Sequence, residues 1–459
     1  MPIPGLILTG LDVVDDPDVL ASLSHDEAEW APYGKAVAAV RPQTTEDVRR
    51  VVAACAQQKI PMVPRGAGTG LSGGANAVDG AMIVDLSRMN RIVEIDTENM
   101  TATVQAGVIN DDLKRAVAEH GLWYPPDPAS APWSTIGGNV STNAGGLCCL
   151  KYGVTRDYVL GLEAVVGGPA GDYGTVVRLG RRTTKGVSGY DLTGLFTGSE
   201  GTFGVITEIT VRLRPARREA PRTVVGAFGS VVAAGEAVAA TTRAGLLPAA
   251  LELLDSTCLR AVEDWKHLGL SSDAAALLLA QLDTPGRAGD DEAAEMAEVF
   301  RRAGALWAEQ STDEVEAEAL FAARRLAYPA LERLGPVLTE DVCVPRSRVP
   351  EMLLAIEEIA TRHGATIATI AHAGDGNLHP MILAPPADED AKRVAQAAFE
   401  EMLTAAIAVG GTVTGEHGVG LLKRAGMRQE LGPGVLAMQV AIKQTLDPLN
   451  LFNPSKVTG

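Results

Sequence analysis

The chain is poor in aromatic residues, 4% of 459, and holds only seven histidines and five cysteines. Positive charge is also scarce. Forty Lys and Arg face 57 Asp and Glu, giving a formal charge of −17 and a pI near 4.9. That balance excludes a nucleic-acid binder, which needs a basic face to neutralise phosphates. It leaves acidic small molecules open, because one buried arginine can set the field of a pocket. No stretch approaches the ~18 consecutive apolar residues of a membrane span. The first twenty residues carry no cationic start ahead of their short apolar run, so a secretory signal is not expected. Cys55, Cys148, Cys149, Cys258 and Cys343 are odd in number and have no C-x-x-C spacing. Bridging the adjacent Cys148 and Cys149 would need a strained eight-membered ring. All five are expected reduced, in a cytoplasmic protein that is at most peripheral to a membrane, and a structural zinc site built from them is not expected.

What is present describes a globular chain: 46% apolar and 21% charged residues. At about 150 residues per domain, the length suggests two or three domains. The pattern is α+β. Residues 44–58 have helical periodicity with acids in the first turn, and 60–64 read as a short strand. Strands are expected at 81–86, 92–96, 101–107 and 205–215, and a helix at 109–121. The polar run 216–222 is a candidate boundary. Beyond it strands at 223–228, 274–282, 337–345, 365–372 and 378–383 alternate with helices to about 244 and at 290–304, 313–332, 350–362 and 388–409. This predicts one antiparallel sheet with helices on one face. The expected division is 1–215, 216–413, and a segment 414–459 that packs back on the first domain.

Forty-nine glycines cluster in five runs. PRGAGTGLSGGA (64–75) follows a strand. It offers positions tolerant of positive φ, free N–H groups, and the hydroxyls of Thr69 and Ser72, which is the chemistry of an anion nest. It lacks the P-loop Lys, and no helix opens directly after it as in the nicotinamide fingerprint. Alone, it reads equally as a hairpin turn that binds nothing. The run STIGGNVSTNAGG (134–146), preceded by PPDPAS, shifts that balance. A loop so rich in small polar residues would otherwise bury unpaired backbone groups. Two such loops in one domain point to a large dinucleotide.

Two histidine clusters follow. His372 and His379, in HAGDGNLHP, would face each other across a hairpin ladder. Two imidazoles are half of a zinc-type site, and Glu416 of TGEHGVG supplies a third donor. Three ligands leave an open position, as a catalytic metal requires. The plainer possibility is that both histidines bond only to backbone. His417, between glycines, is either a solvated turn residue or a general base suited to neutral pH.

Taken in order, PRGAGTGLSGGA, PPDP, STIGGNVSTNAGG, KYG and TGSEGTFGVITEI resemble the FAD domain of the vanillyl-alcohol oxidase / p-cresol methylhydroxylase flavoproteins. HAGDGNLHP, TGEHGVG and NPSKV are similar to its D-2-hydroxyacid dehydrogenase branch, which includes D-lactate dehydrogenase, the glycolate oxidase catalytic subunit and D-2-hydroxyglutarate dehydrogenase. The resemblance runs from about residue 32 to 457. It implies a two-subdomain FAD-binding domain and an α+β substrate domain with an antiparallel sheet. It assigns Pro64, Arg65, Gly66, Ala67, Gly68, Thr69, Gly70 and Leu71 to the FAD pyrophosphate. Thr135, Gly137, Gly138, Asn139, Ser141, Thr142, Asn143, Gly145 and Gly146 would line the flavin, and Pro126, Asp127, Tyr152 and Gly153 would also bind the cofactor. Glu200, Gly201, Gly204 and Ile206 would hold the adenosine side, and Asn453 would also touch the cofactor. Some relatives tether FAD through a histidine in the first loop; residues 64–75 have none, so non-covalent FAD is implied.

The same resemblance makes His417 the base and places His372, His379 and Glu416 on a divalent metal, usually zinc. It makes Arg324 the substrate-carboxylate clamp, a role suited to a permanently charged fork. Arg325 is the adjacent competitor, pointing about 100° away on a helix. Tyr328, one turn on from Arg324, adds a hydroxyl, and Asn377 bonds near the flavin or orients the hairpin. The implied reaction oxidises a D-2-hydroxy acid to the 2-oxo acid, with an electron-transfer flavoprotein, quinone or cytochrome as acceptor and room for a homodimer. The apolar Pro380-Met381-Ile382 and the run TEDVCVP (339–345) favour D-lactate over D-2-hydroxyglutarate, with glycolate as a further alternative. A zinc hydrolase with purely structural glycine loops is the alternative of another class, and a non-catalytic flavin-binding subunit is a third.

Overall fold

The computed structural model describes residues 8–168, 170–269, 273–311, 314–384 and 388–459, the side chains of 314–318 excepted. The start of the amino-terminal apolar run and of the helix expected from residue 313 lie outside these. Two compact units are present. One takes the chain up to Gly145, then Val154–Ala216 and Glu416–Gly459. The other takes Gly146–Gly153 and Arg217–Gly415. The chain therefore passes between them at four peptide bonds.

The first unit has two principal sheets. In one, the strands run in the order Val13–Val14, Ala38–Val40, Met82–Asp85, Met62–Arg65, the last three mutually parallel. The other is antiparallel, ordered Ile92–Asp96, Thr101–Gln105, Gly204–Arg212, Val159–Val166, Thr175–Gly180. Helix Thr45–Gln58 begins where Thr44 and Asp47 cap each other's backbone. It buries Val48, Val51, Val52 and Cys55, the i, i+3, i+4, i+7 stripe of an amphipathic helix. Burial alone pushes the Cys55 thiol up to about 12, so this cysteine is inert packing.

The second unit is built on an eight-stranded antiparallel sheet. Its path is Ala305–Ser311, Arg222–Phe228, Ala276–Leu282, Ala250–Asp255, Thr366–His372, Asn377–Leu383, Val337–Thr339, with Val342–Cys343 also on Asn377–Leu383. Helices Ser256–Lys266 and Glu314–Glu332 cover Leu254, Leu277, Leu279, Ile370 and Met381 of that sheet with Cys258, Val262, Phe321 and Leu331. Several elements were not legible as such, among them strands Val159–Val166 and Ala250–Asp255 and helix Pro433–Leu446. No described helix is long and apolar enough to cross a membrane.

Candidate active site

In the first unit, strand Met62–Arg65 delivers the chain into the first glycine loop. Gly68 sits at φ +81°, with the Arg65 guanidinium where a Cβ would be. Arg65 is buried under its own loop, and its Nη1 donates to the carbonyl of His25 (2.8 Å). Pro64 packs on Gly201, and Gly66 lies against the Thr135 hydroxyl with no room for a Cβ. The three amino-terminal glycine runs therefore meet at one place. From Gly66 to Gly74 no backbone N–H donates to a protein group among the described residues. Such a row of unpaired donors on a glycine loop fits an anion such as a pyrophosphate. Asn453 adds an acceptor: its Nδ2 donates to the carbonyls of Gly74 and Glu200 (2.8 and 2.7 Å), while its buried Oδ1 has no donor among the described residues. These groups fit a dinucleotide.

The second run is not the open loop expected. Residues Ile136–Thr142 form a short helix, because Thr135 caps Gly138 N–H (3.1 Å) and Ile136 and Val140 are buried on one face. Much of its polar side-chain chemistry is consequently internal. Ser141 Oγ donates to the Gly137 carbonyl and Thr142 Oγ1 to Gly138. Asn139 accepts from Asn110 (2.9 Å), and Asn143, at φ +55°, accepts from Arg156 N–H. Gly137 is pressed on Ala106. Asp127 pairs with Lys114, and the Pro126 carbonyl accepts from Asn110 (3.5 Å). Gly145 ends this stretch of the first unit. Gly146 and Gly153, both at positive φ, bracket the excursion into the second unit, where the Tyr152 hydroxyl donates to Asp283.

Glu200 is engaged by the backbone of the loop after His417. Its Oε1 accepts from Val419 N–H (2.7 Å) and its Oε2 from Gly420 N–H (2.8 Å). Burial pushes this carboxyl up to about 7 despite the two amides. Ser72 Oγ donates to the carbonyls of Gly418 (2.8 Å) and His417 (3.3 Å), and Leu421 N–H donates to the Ser72 carbonyl (2.7 Å). The His417 loop is thus tied to the first glycine loop within one unit. Gly204 lies on the Val165 carbonyl, and the Ile206 side chain is buried in the core.

In the second unit, the hairpin pairs His372 with Asn377 and Ile370 with His379. The two histidines are therefore diagonal neighbours on one face rather than directly opposed. Their ring centroids are 5.2 Å apart, edge to face. His372 Nδ1 lies 2.9 and 3.0 Å from the two oxygens of Glu252. Arg324 Nε donates to Glu252 Oε2 at 2.8 Å. Burial would raise the Glu252 carboxyl, but His372 and Arg324 beside it outweigh that and hold it below its ordinary value. Arg324 is buried and Arg325 exposed. Tyr328 packs against the helix-covered face of the sheet. Asn377 is buried with its Oδ1 unpartnered among the described residues, and Gly415 lies against its amide.

Two acids were not picked out as site residues from the sequence. Asp341 is fully buried, with Oδ1 3.7 Å from His379 Nδ1. It accepts from Thr414 Oγ1 (2.7 Å), and its carbonyl accepts from Gly415 N–H (3.0 Å). Imidazole nitrogens and carboxylate oxygens are donors that zinc and similar divalent ions take, so His379 and Asp341 within this unit fit as part of such a donor set.

Residues 36–180 match the FAD binding domain family. Residues 217–457 match the family of FAD linked oxidases, C-terminal domain. The chain belongs to the FAD-linked oxidases. It is 42% identical over 421 residues to glycolate oxidase subunit GlcD of Bacillus subtilis, covering 92% of this chain and 88% of that one. It is 34% identical to D-lactate dehydrogenase of Anaerostipes hadrus, covering 99% and 95%. Among solved structures it is similar to p-cresol methylhydroxylase with a TM-score of 0.80 at 19% identity, covering 97% of this chain and 93% of that chain. This FAD-linked oxidase thus has the p-cresol methylhydroxylase type of fold and is an FAD-linked oxidoreductase. The family match sets aside the hydrolase alternative.

Proposed function

We propose that this enzyme oxidises a short D-2-hydroxy monocarboxylate, D-lactate foremost, to the 2-oxo acid. Arg324 carries the preference. It is the sole buried Lys or Arg among the described residues of the second unit. The residues paired with or following His379 on the hairpin, Ile370 and Met381, are apolar. One carboxylate therefore has a partner there, and a second would lack one. Glycolate shares that single carboxylate and differs by a methyl group, worth only about 1–3 kcal/mol of discrimination in an apolar pocket. The names of the relatives, glycolate oxidase subunit and D-lactate dehydrogenase, are consistent with this class.

When bound, FAD supplies the hydride acceptor and a divalent cation supplies a Lewis acid for the hydroxyl oxygen. Arg324 holds the substrate carboxylate through its terminal N–H groups and fixes C2 in orientation. The His417 imidazole takes the hydroxyl proton at a ring nitrogen as C2 loses hydride. Ser72 and Glu200 support that role by fixing the loop's backbone. His372, His379 and Glu416, with Asp341 added from its position beside His379, form the set for the cation. The electrons then leave to an electron-transfer flavoprotein, quinone or cytochrome.

The test is a panel of D-2-hydroxy acids with a dye acceptor, alongside metal analysis. The expected ranking puts D-lactate and then glycolate far ahead of D-2-hydroxyglutarate. A preference for the dicarboxylate would overturn the assignment, and protein purified without a divalent metal would overturn the metal set.

A further inference from the structure

Strand Ala250–Asp255 has the sequence ALELLD, in which Glu252 is an acid flanked on both sides by apolar residues. Ala250 and Leu254, on the same face as Glu252, belong to the core under the helices. A carboxylate there, with no exposed side-chain surface, is costly to bury unless paired. The pairing comes from two elements. The register Leu253 to Ala371 and Leu254 to Ile370 brings Glu252 opposite His372 one step along the ladder. Helix Glu314–Glu332 brings Arg324 to the same carboxylate.

We propose that Glu252 is a positioning residue that couples metal ligation through His372 to carboxylate recognition through Arg324. This rests on the function proposed above for those two residues. A carboxylate on His372 Nδ1 fixes the proton there and turns the Nε2 lone pair outward, the ligating tautomer. The same carboxylate occupies the Nε edge of Arg324. No other protein partner of Arg324 is found among the described residues, so its terminal N–H pair is left for an end-on grip on a substrate carboxylate. One buried group therefore aims both. A purely structural ion pair would lower stability when broken and leave both affinities unchanged.

The experiment uses the full-length, flavin-loaded protein with Glu252→Gln and Glu252→Asp. Zinc affinity is measured by competition with a chromophoric chelator, and oxamate affinity by the perturbation of the flavin spectrum. In Glu252→Gln, zinc should bind about 10–100-fold more weakly, and oxamate should weaken in parallel. Glu252→Asp, which keeps the charge, should recover part of both. If Glu252→Gln does not retain flavin, Glu252→Asp alone decides, by whether both affinities fall together. Wild-type affinities in the variants, or loss of one without the other, would overturn the coupling. Wild-type protein that binds neither zinc nor oxamate would instead overturn the assignment of His372 and Arg324.

Discussion

Glu200 offers the sharpest test of how the His417 loop is held. Its two oxygens accept from Val419 and Gly420 at 2.7 and 2.8 Å. A hydrogen bond to a charged group contributes about 1.5–3 kcal/mol, so Glu200→Ala should weaken the loop by about 3 kcal/mol or more. Glu200→Gln keeps one acceptor oxygen and should lose about half as much. The assay is hydrogen–deuterium exchange of peptides covering 417–421 on the flavin-bound protein. It is best run above about pH 8, where a carboxyl raised to about 7 is ionised. At about 1.4 kcal/mol per factor of ten, Glu200→Ala should speed exchange roughly a hundredfold and Glu200→Gln roughly tenfold. Unchanged exchange in both variants, with flavin retained, would refute the claim that this carboxylate holds the loop.

Other outcomes follow from the same geometry. Gly66→Ala puts a methyl into the Thr135 hydroxyl; it should cost about 1–3 kcal/mol and lower the flavin-to-protein ratio after gel filtration, and full flavin content would contradict it. Gly415→Ala places its Cβ 2.6 Å from the Asn377 amide; it should displace the turn ahead of Glu416, reducing bound zinc and turnover while flavin stays, as metal analysis and flavin absorbance would report. Asp255 is held up to about 6 by burial, from 3.8. The native state thus binds the proton more tightly than the unfolded chain. Its contribution is fully present below about pH 4 and is lost as pH rises through about 6, about 3 kcal/mol in all. Glu200 acts in the same sense, from 4.5 to about 7. In urea titrations Asp255→Asn should therefore gain stability relative to wild type as pH rises, and a constant difference would contradict this.

The glycine runs and the hairpin strands were legible because composition and period 2 mark them directly. What escaped was set by tertiary pairing. Strand Ala250–Asp255 is buried throughout, so it shows no alternation, and Glu252 reads as an ordinary acid; an acid between apolar residues in ALELL was the available signal. Asp341 sits in TEDVCVP, which was read as a mark of substrate class, and only the sheet register brings it beside His379. The helix at Ile136–Thr142 was hidden by Gly137, Gly138 and Asn139, weak helix formers whose cap and buried face decide instead. The diagonal placing of His372 and His379 depends on a turn of four residues, Ala373–Gly376, which side-chain alternation alone does not determine. The binding of the His417 loop to Ser72 and Glu200 joins residues more than two hundred positions apart, beyond any local pattern.

The most direct measurement is anaerobic mixing of the purified, flavin-loaded protein with D-lactate while flavin absorbance is followed. Wild-type protein should bleach in one turnover, and His417→Ala should hold its flavin and stay yellow. A wild type that stays oxidised with both D-lactate and glycolate, or a His417→Ala variant that bleaches at the wild-type rate, would contradict the account.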